Sequence, residues 1–122
     1  MAKILIIEDD PLIGRLYEKI FKFENYEVKL ATSKEESFGI LKFFDPAIIL
    51  LDIILADQSG LDVLEELKAN SETKSIPVVI LTSLSDKIYV KDALAKGAEQ
   101  YIVKSDKDPK EVLKMINKLI TK

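Results

Sequence analysis

Five short apolar runs alternate with longer amphipathic segments along the chain: residues 3–7, 26–30, 47–51, 77–81 and 100–103. Residues 4–7, 47–51 and 78–81 are apolar at every position, the pattern of strands covered by helices on both faces. Residues 26–30 alternate instead, as an edge strand with one wet face does. The segments between carry helix punctuation. Asp10-Pro11 places a capping side chain before a proline at the first helical position, and Leu12, Leu16, Ile20 and Phe23 then recur on one face. Ser33-Lys-Glu-Glu36 reads as a capping box leading to Phe38, Leu41 and Phe44. Ser59-Gly-Leu-Asp62 opens a third helix with Leu61, Leu64 and Leu67 inward. Ser85-Asp86 opens a fourth that stops at Gly97. Asp108-Pro-Lys-Glu111 opens a fifth with Val112, Met115, Ile116 and Leu119 as its buried stripe.

Strict alternation of strand and helix predicts a doubly wound α/β domain, (βα)₅, with a five-stranded parallel sheet and right-handed crossovers. At 122 residues the expected organisation is one domain over 1–122, with no room for a linker or repeat. The longest apolar runs, residues 47–51 and 53–56, fall far short of the roughly 18–20 residues a membrane helix needs. The run at 4–7 stops at three acids and is too short for the core of a secretory signal, so the cytoplasm is the expected location.

Composition narrows the chemistry. There is no cysteine and no histidine, which removes thiolate catalysis, disulfides and the commonest general base and metal ligand. A net charge of −3 argues against non-specific binding to nucleic acid. What remains is carboxylates, hydroxyls, lysines and a hard metal ion. Those types gather at the predicted strand ends. The first strand ends in Glu8-Asp9-Asp10, the third in Asp52, the fourth in Thr82-Ser83 and the fifth in Lys104. In an open parallel sheet all of these point to one edge, where ligands bind. Each alone has a plain reading: Asp10 caps a helix, Asp52 begins a turn, Thr82 and Ser83 are loop hydroxyls, Lys104 is a solvated strand-end lysine. Together they suit Mg²⁺, which takes hard oxygen ligands and commonly one or two carboxylates, and phosphoryl transfer to a carboxylate nucleophile.

These residues carry a resemblance along the whole chain to the receiver domain of two-component response regulators, the CheY-like family. The matching features are ILII-Glu8-Asp9, Leu50-Leu51-Asp52-Ile53-Ile54, Gly60 eight residues on, VVIL-Thr82, Ala95-Lys96-Gly97-Ala98 and Tyr101-Ile102-Val103-Lys104. The resemblance implies a flavodoxin-like strand order 2-1-3-4-5. It implies Asp52 as phosphoacceptor, Mg²⁺ held by Asp9, Glu8, Asp52 and the backbone carbonyl of Ile54, and Thr82 and Lys104 as partners of the phosphoryl group. Tyr101 is implied as a switch aromatic. Implied partners are a sensor histidine kinase or phosphotransfer protein and a downstream protein target or detached output domain, with no direct binding of nucleic acid or membrane. The output surface would be the fourth helix, fifth strand and fifth helix, with Ile88, Tyr89, Lys91, Lys110, Lys114 and Lys118 exposed on it. Such a domain is not a turnover enzyme; it catalyses only phosphoryl transfer to and from its own aspartate.

Three positions depart from the family pattern: Ser105 follows Lys104 where proline is usual, Ala56 stands where a proline is usual, and Ser83 where a smaller residue is usual. Ser105 puts the family's cis bond after the lysine in question, since cis at a non-proline costs about 2.5–4 kcal/mol. An aspartate-nucleophile phosphatase of the haloacid-dehalogenase class uses similar parts, but its nucleophile and second acid sit at the first strand end, and Glu8-Asp9-Asp10-Pro11 lacks the rest of that motif. A degenerate receiver used only for binding would normally lack a site residue. A flavodoxin would need a Ser/Thr/Gly-rich loop after the first strand.

Overall fold

The central strands form where β-branched and leucine side chains run without interruption. A computed structural model describes residues 2–121. Five parallel strands, β1 (Lys3–Ile7), β2 (Glu27–Ala31), β3 (Ile48–Leu51), β4 (Val78–Thr82) and β5 (Gln100–Val103), lie in the order β2-β1-β3-β4-β5. The three fully apolar strands are the central ones, and the alternating β2 is an edge. The register pairs Ile7 with both Ala31 and Leu51, Leu51 with Ile80, and Thr82 with Val103.

Five helices complete the (βα)₅ array: α1 (Pro11–Phe23), α2 (Lys34–Leu41), α3 (Gly60–Ala69), α4 (Lys87–Ala95) and α5 (Pro109–Ile120). Asp10, Ser33, Ser59, Asp86 and Asp108 cap their first turns. The Asp108–Glu111 box is reciprocal, whereas Glu36 reaches past its cap to the amide of Thr32 at 2.6 Å. Gly97 ends α4 with φ +107°, a conformation that favours glycine. The sheet splits the core in two. Tyr17, Phe21, Val112 and Ile116 of α1 and α5 cover one face. Leu61, Leu64, Leu67 and Ala93 of α3 and α4, with Phe44 after α2, cover the other.

One expectation about α1 is corrected. The face carrying Leu12, Leu16, Ile20 and Phe23 is not the core face: Leu12 is 76% and Phe23 86% exposed, and Leu16 is exposed as well. The neighbouring stripe of Ile13, Tyr17 and Phe21 packs inward. Gly14 is buried on the same side. A Cβ there would lie 2.9 Å from Leu30 Cδ1, the mobile end of a side chain, so α1 sits close on β2 along this stripe.

Candidate functional site

Register builds the site. Because Ile7 and Leu51 are paired, the next residues, Glu8 and Asp52, emerge side by side from adjacent strands. Backbone bonds extend the ladder at this edge: Asp52 N–H donates to Ile7 O at 3.0 Å, Glu8 N–H to Ala31 O at 2.9 Å, and Lys104 N–H to Thr82 O at 2.8 Å. Both carboxylates are buried, at 5% exposure. Lys104 reaches back from the end of β5, and its Nζ donates to Glu8 Oε1 at 2.5 Å and to Asp52 Oδ2 at 3.0 Å. The Ile54 amide donates to Asp52 Oδ1 at 3.1 Å and fixes the other carboxylate oxygen. The loop after β3 is drawn tight by Gly60 N–H, which donates to Ile53 O at 2.7 Å, and by a bridge between Ile54 and Ser59.

The electrostatics follow from two acids sharing one ammonium. Burial raises Glu8 above its ordinary 4.5, with the Asp52 charge adding to the rise and Lys104 opposing it. Burial pulls Lys104 down, but the bond to Glu8 and the charge of Asp52 outweigh it and the net shift is upward. Folding therefore favours protonated Glu8. Its stabilising contribution is full below about 4.5 and is lost as pH rises through the raised value. Glu8→Gln, which fixes the neutral form, is accordingly expected to lie within about 1 kcal/mol of wild type or above it at neutral pH without divalent ions. Its advantage should grow as pH climbs from about 4 toward 7. Urea unfolding across that range checks this, and a deficit above about 2 kcal/mol at neutral pH would show that the Glu8–Lys104 pair dominates instead.

The candidate metal ligands are present as a pair and a neighbour. Glu8 and Asp52 lie together, Asp9 is half-exposed beside them, and among the described residues no three acidic side chains are gathered as metal-binding groups are. The Lys104 ammonium bonds both buried carboxylates. The donor chemistry nonetheless suits a hard divalent cation: buried carboxylate oxygens that hold more negative charge than one lysine balances. Thr82 is fully buried, and alternation along β4 places it on the side of Ile80 and Tyr101 rather than of Asp52. Its Oγ1 lies 3.5 Å from the Leu84 amide, and Tyr101 donates its hydroxyl to Leu84 O at 2.7 Å. Burial raises the Tyr101 phenol, with Asp52 the next cause. Ser83, by contrast, is exposed. Among the described residues every peptide bond is trans, the one joining Lys104 to Ser105 included.

Sequence reasoning did not single out Tyr17. It is buried, its phenol is raised by burial, and the charges of Lys104 and Glu8 both reach it. Its signal was an aromatic one register away from the stripe chosen for α1. The described residues contain no helix long and apolar enough to cross a membrane.

Comparison with known proteins places the chain in a family. A model of the response regulator receiver domain matches residues 4–117. The response regulator SaeR of Staphylococcus aureus is 34% identical over 125 aligned positions, covering 100% of this chain and 52% of SaeR. The chain spans about half the length of the curated relatives it matches. A CheY-like response regulator receiver domain protein from Methanospirillum hungatei superposes with a TM-score of 0.90 at 26% identity, over 99% of this chain and 94% of that one. The Mn²⁺-bound form of the response regulator Rcp1 superposes at 0.80 with 27% identity, over 98% of this chain and 91% of that one.

Proposed function

The chain belongs to the response regulator receiver family, and from that premise we propose that Asp52 accepts a phosphoryl group from the phosphohistidine of a partner sensor histidine kinase or phosphotransfer protein, in the presence of Mg²⁺. The carrying observation is the register that sets Asp52 beside Glu8 with Lys104 Nζ bonded to both. In the transfer a carboxylate oxygen of Asp52 forms the new bond to phosphorus, the phosphorus–nitrogen bond breaks, and the histidine leaves with the bonding pair and takes up a proton. The ion would be held by Glu8, Asp9, Asp52 and the Ile54 carbonyl, and when bound it supplies charge neutralisation at the phosphoryl oxygens. The Mn²⁺ form of Rcp1 supports that reading.

This chain's residues do the rest. The Ile54 amide orients the acceptor carboxylate. Lys104, freed from one carboxylate oxygen, pairs with a phosphoryl oxygen as a charge-assisted donor. Thr82 does the same with its hydroxyl once it turns toward Asp52, and because Leu84 contacts both Thr82 and Tyr101, that movement reaches β5 and the start of α4. Moving such a switch from 1:99 to 99:1 requires about 5.5 kcal/mol of differential interaction. A single charged hydrogen bond contributes roughly 1.5–3 kcal/mol, so Lys104, Thr82 and the ion must act together. The output reading is a surface of α4, β5 and α5 on which Ile88, Tyr89 and Lys91 are exposed. The whole, 1–122, acts as one receiver domain: a cytoplasmic switch that transfers phosphoryl groups only to and from itself and reports to a downstream protein or an output domain.

The test is chemical. Acetyl phosphate with Mg²⁺ should form an acyl phosphate that borohydride reduction and peptide mapping place at Asp52. Label at Asp9 or Asp10, or equal uptake in excess chelator, would overturn the assignment.

A further inference from the structure

We propose that Tyr17 is a positioning residue for phosphoryl transfer: its hydroxyl accepts a hydrogen bond from Lys104 Nζ when that ammonium turns from Glu8 to a phosphoryl oxygen on Asp52. That role presupposes Asp52 as the acceptor. Tyr17 projects from α1 and is only 4% exposed. A buried tyrosine hydroxyl normally finds a partner. Tyr26 donates to Asn117 Oδ1, and Tyr101 to Leu84 O at 2.7 Å. Among the described residues the Tyr17 hydroxyl makes no such bond, and no hydrogen bond is among the causes that shift its phenol. It is not sealed in apolar packing either, since Gln100 Oε1 is the enclosed side-chain atom left without a partner among those residues. The hydroxyl is therefore open to a neighbouring space.

Two such spaces meet at Tyr17. A void of about 10 Å³, room for about one water molecule, is bounded by Tyr17, Glu8, Asp52 and apolar residues of β1, β3 and β4. A concavity of about 500 Å³ is bounded by Tyr17, Leu16, Lys104 and the loop that follows β5. Tyr17 thus borders both the acid pair and the lysine that bridges it. Its ring is held in the core with Ile6, Leu50 and Leu81, so the group that moves is Lys104, on a flexible stem with a side chain 19% exposed. An ammonium carries three N–H donors. Lys104 uses two, on Glu8 Oε1 and Asp52 Oδ2. When one of them goes to a phosphoryl oxygen and Glu8 is released, the ammonium needs a further acceptor to hold it at the edge. A third carboxylate there would compete with the phosphoryl group, whereas a phenol oxygen is a neutral, weaker acceptor that anchors without competing. As a hydroxyl, Tyr17 can also donate to the oxygen that Lys104 vacates on Glu8. Of the charges acting on the Tyr17 phenol, that of Lys104 is the largest, ahead of Glu8 and Asp108.

Tyr17→Phe removes the hydroxyl and keeps the ring. Without phosphodonor or Mg²⁺ the variant should unfold at the urea concentration of wild type or a higher one, because the hydroxyl has no partner to lose. With acetyl phosphate and Mg²⁺, its maximal rate of phosphoryl uptake should fall about tenfold, while the half-saturating acetyl phosphate concentration stays within about twofold of wild type. Beryllofluoride, a stand-in for the phosphoryl group, should bind the variant about tenfold more weakly in Mg²⁺, while Mg²⁺ alone binds it within about twofold of wild type. In a Lys104→Met background the same substitution should change uptake and beryllofluoride binding by less than about twofold, because the donor to Tyr17 is already gone. A wild-type maximal rate and beryllofluoride affinity in Tyr17→Phe would overturn the role of the hydroxyl. So would a tenfold loss that persists in Lys104→Met, or a urea midpoint lowered in the absence of Mg²⁺. Failure of the wild-type chain to label at Asp52 is a separate outcome: it would remove the acceptor reading, and this role with it.

Discussion

Gly60→Ala is expected to destabilise the fold by at least about 3 kcal/mol and to slow phosphoryl uptake on the order of 100-fold. A Cβ at this position would lie 2.0 Å from the carbonyl oxygen of Asp52 and 2.7 Å from Ile53 Cα. Both are backbone atoms, so no side-chain rotation can relieve the clash. Gly60 is also the first residue of α3 and the donor to Ile53 O. Pushing it outward moves the start of α3, breaks that bond and releases the loop that aims Ile54 N–H at Asp52 Oδ1. The kinetic consequence follows from position alone, since a displacement of about 1 Å in a reacting group can cost roughly 10²-fold. Urea unfolding with an unchanged slope would report the stability loss, and acetyl phosphate labelling the rate. Wild-type uptake in a destabilised Gly60→Ala chain would show that the loop does not position the acceptor.

The reason for Gly60 was not legible in the sequence, and the contrast with other elements is instructive. Runs such as Ile4–Ile7 and Val78–Leu81 announce central strands because no polar residue interrupts them. Caps announce the helices because Asp10, Ser33, Ser59, Asp86 and Asp108 each precede an apolar period. Strand ends then follow by counting, which is why Glu8, Asp52, Thr82 and Lys104 could be assigned to one edge. What counting misses is contact across the fold. α1 is apolar around most of its circumference, so Leu12, Leu16, Ile20 and Phe23 competed with Ile13, Tyr17 and Phe21 as the buried stripe. The choice is made by packing against other elements, with Val28, Val112 and Ile116 in the same buried cluster as Tyr17 and Phe21. Likewise, Lys104 bonds Glu8 as well as Asp52, a pairing set by strand register rather than by any motif.

Lys104→Met is expected to lower stability by about 3 kcal/mol near neutral pH in the absence of divalent ions, the low end for breaking a buried ion pair. The substitution keeps most of the side-chain volume and removes only the ammonium. Glu8 and Asp52 are then left buried together with no cation between them. Direction with pH separates this from a packing defect. In wild type the raised Lys104 pKa makes its contribution full below about 10.5 and lost only as pH rises through a still higher value. In the variant Glu8 loses the bond and charge that oppose its rise, so its pKa climbs further. A group raised on folding stabilises below its unfolded pKa and loses that contribution as pH rises through its folded one, so the variant should approach wild type in acid and fall behind as pH climbs. A cavity or a strained rotamer would give a deficit indifferent to pH. Millimolar Mg²⁺ should restore a large part of the loss, because an ion on Glu8 and Asp52 replaces the missing charge and binds only the folded state. Urea midpoints at acid and neutral pH, with and without Mg²⁺, read both effects. A deficit that neither acid nor Mg²⁺ reduces would mean that Lys104 supports the edge by packing, and that charge balance between Glu8 and Asp52 is not what holds this site together.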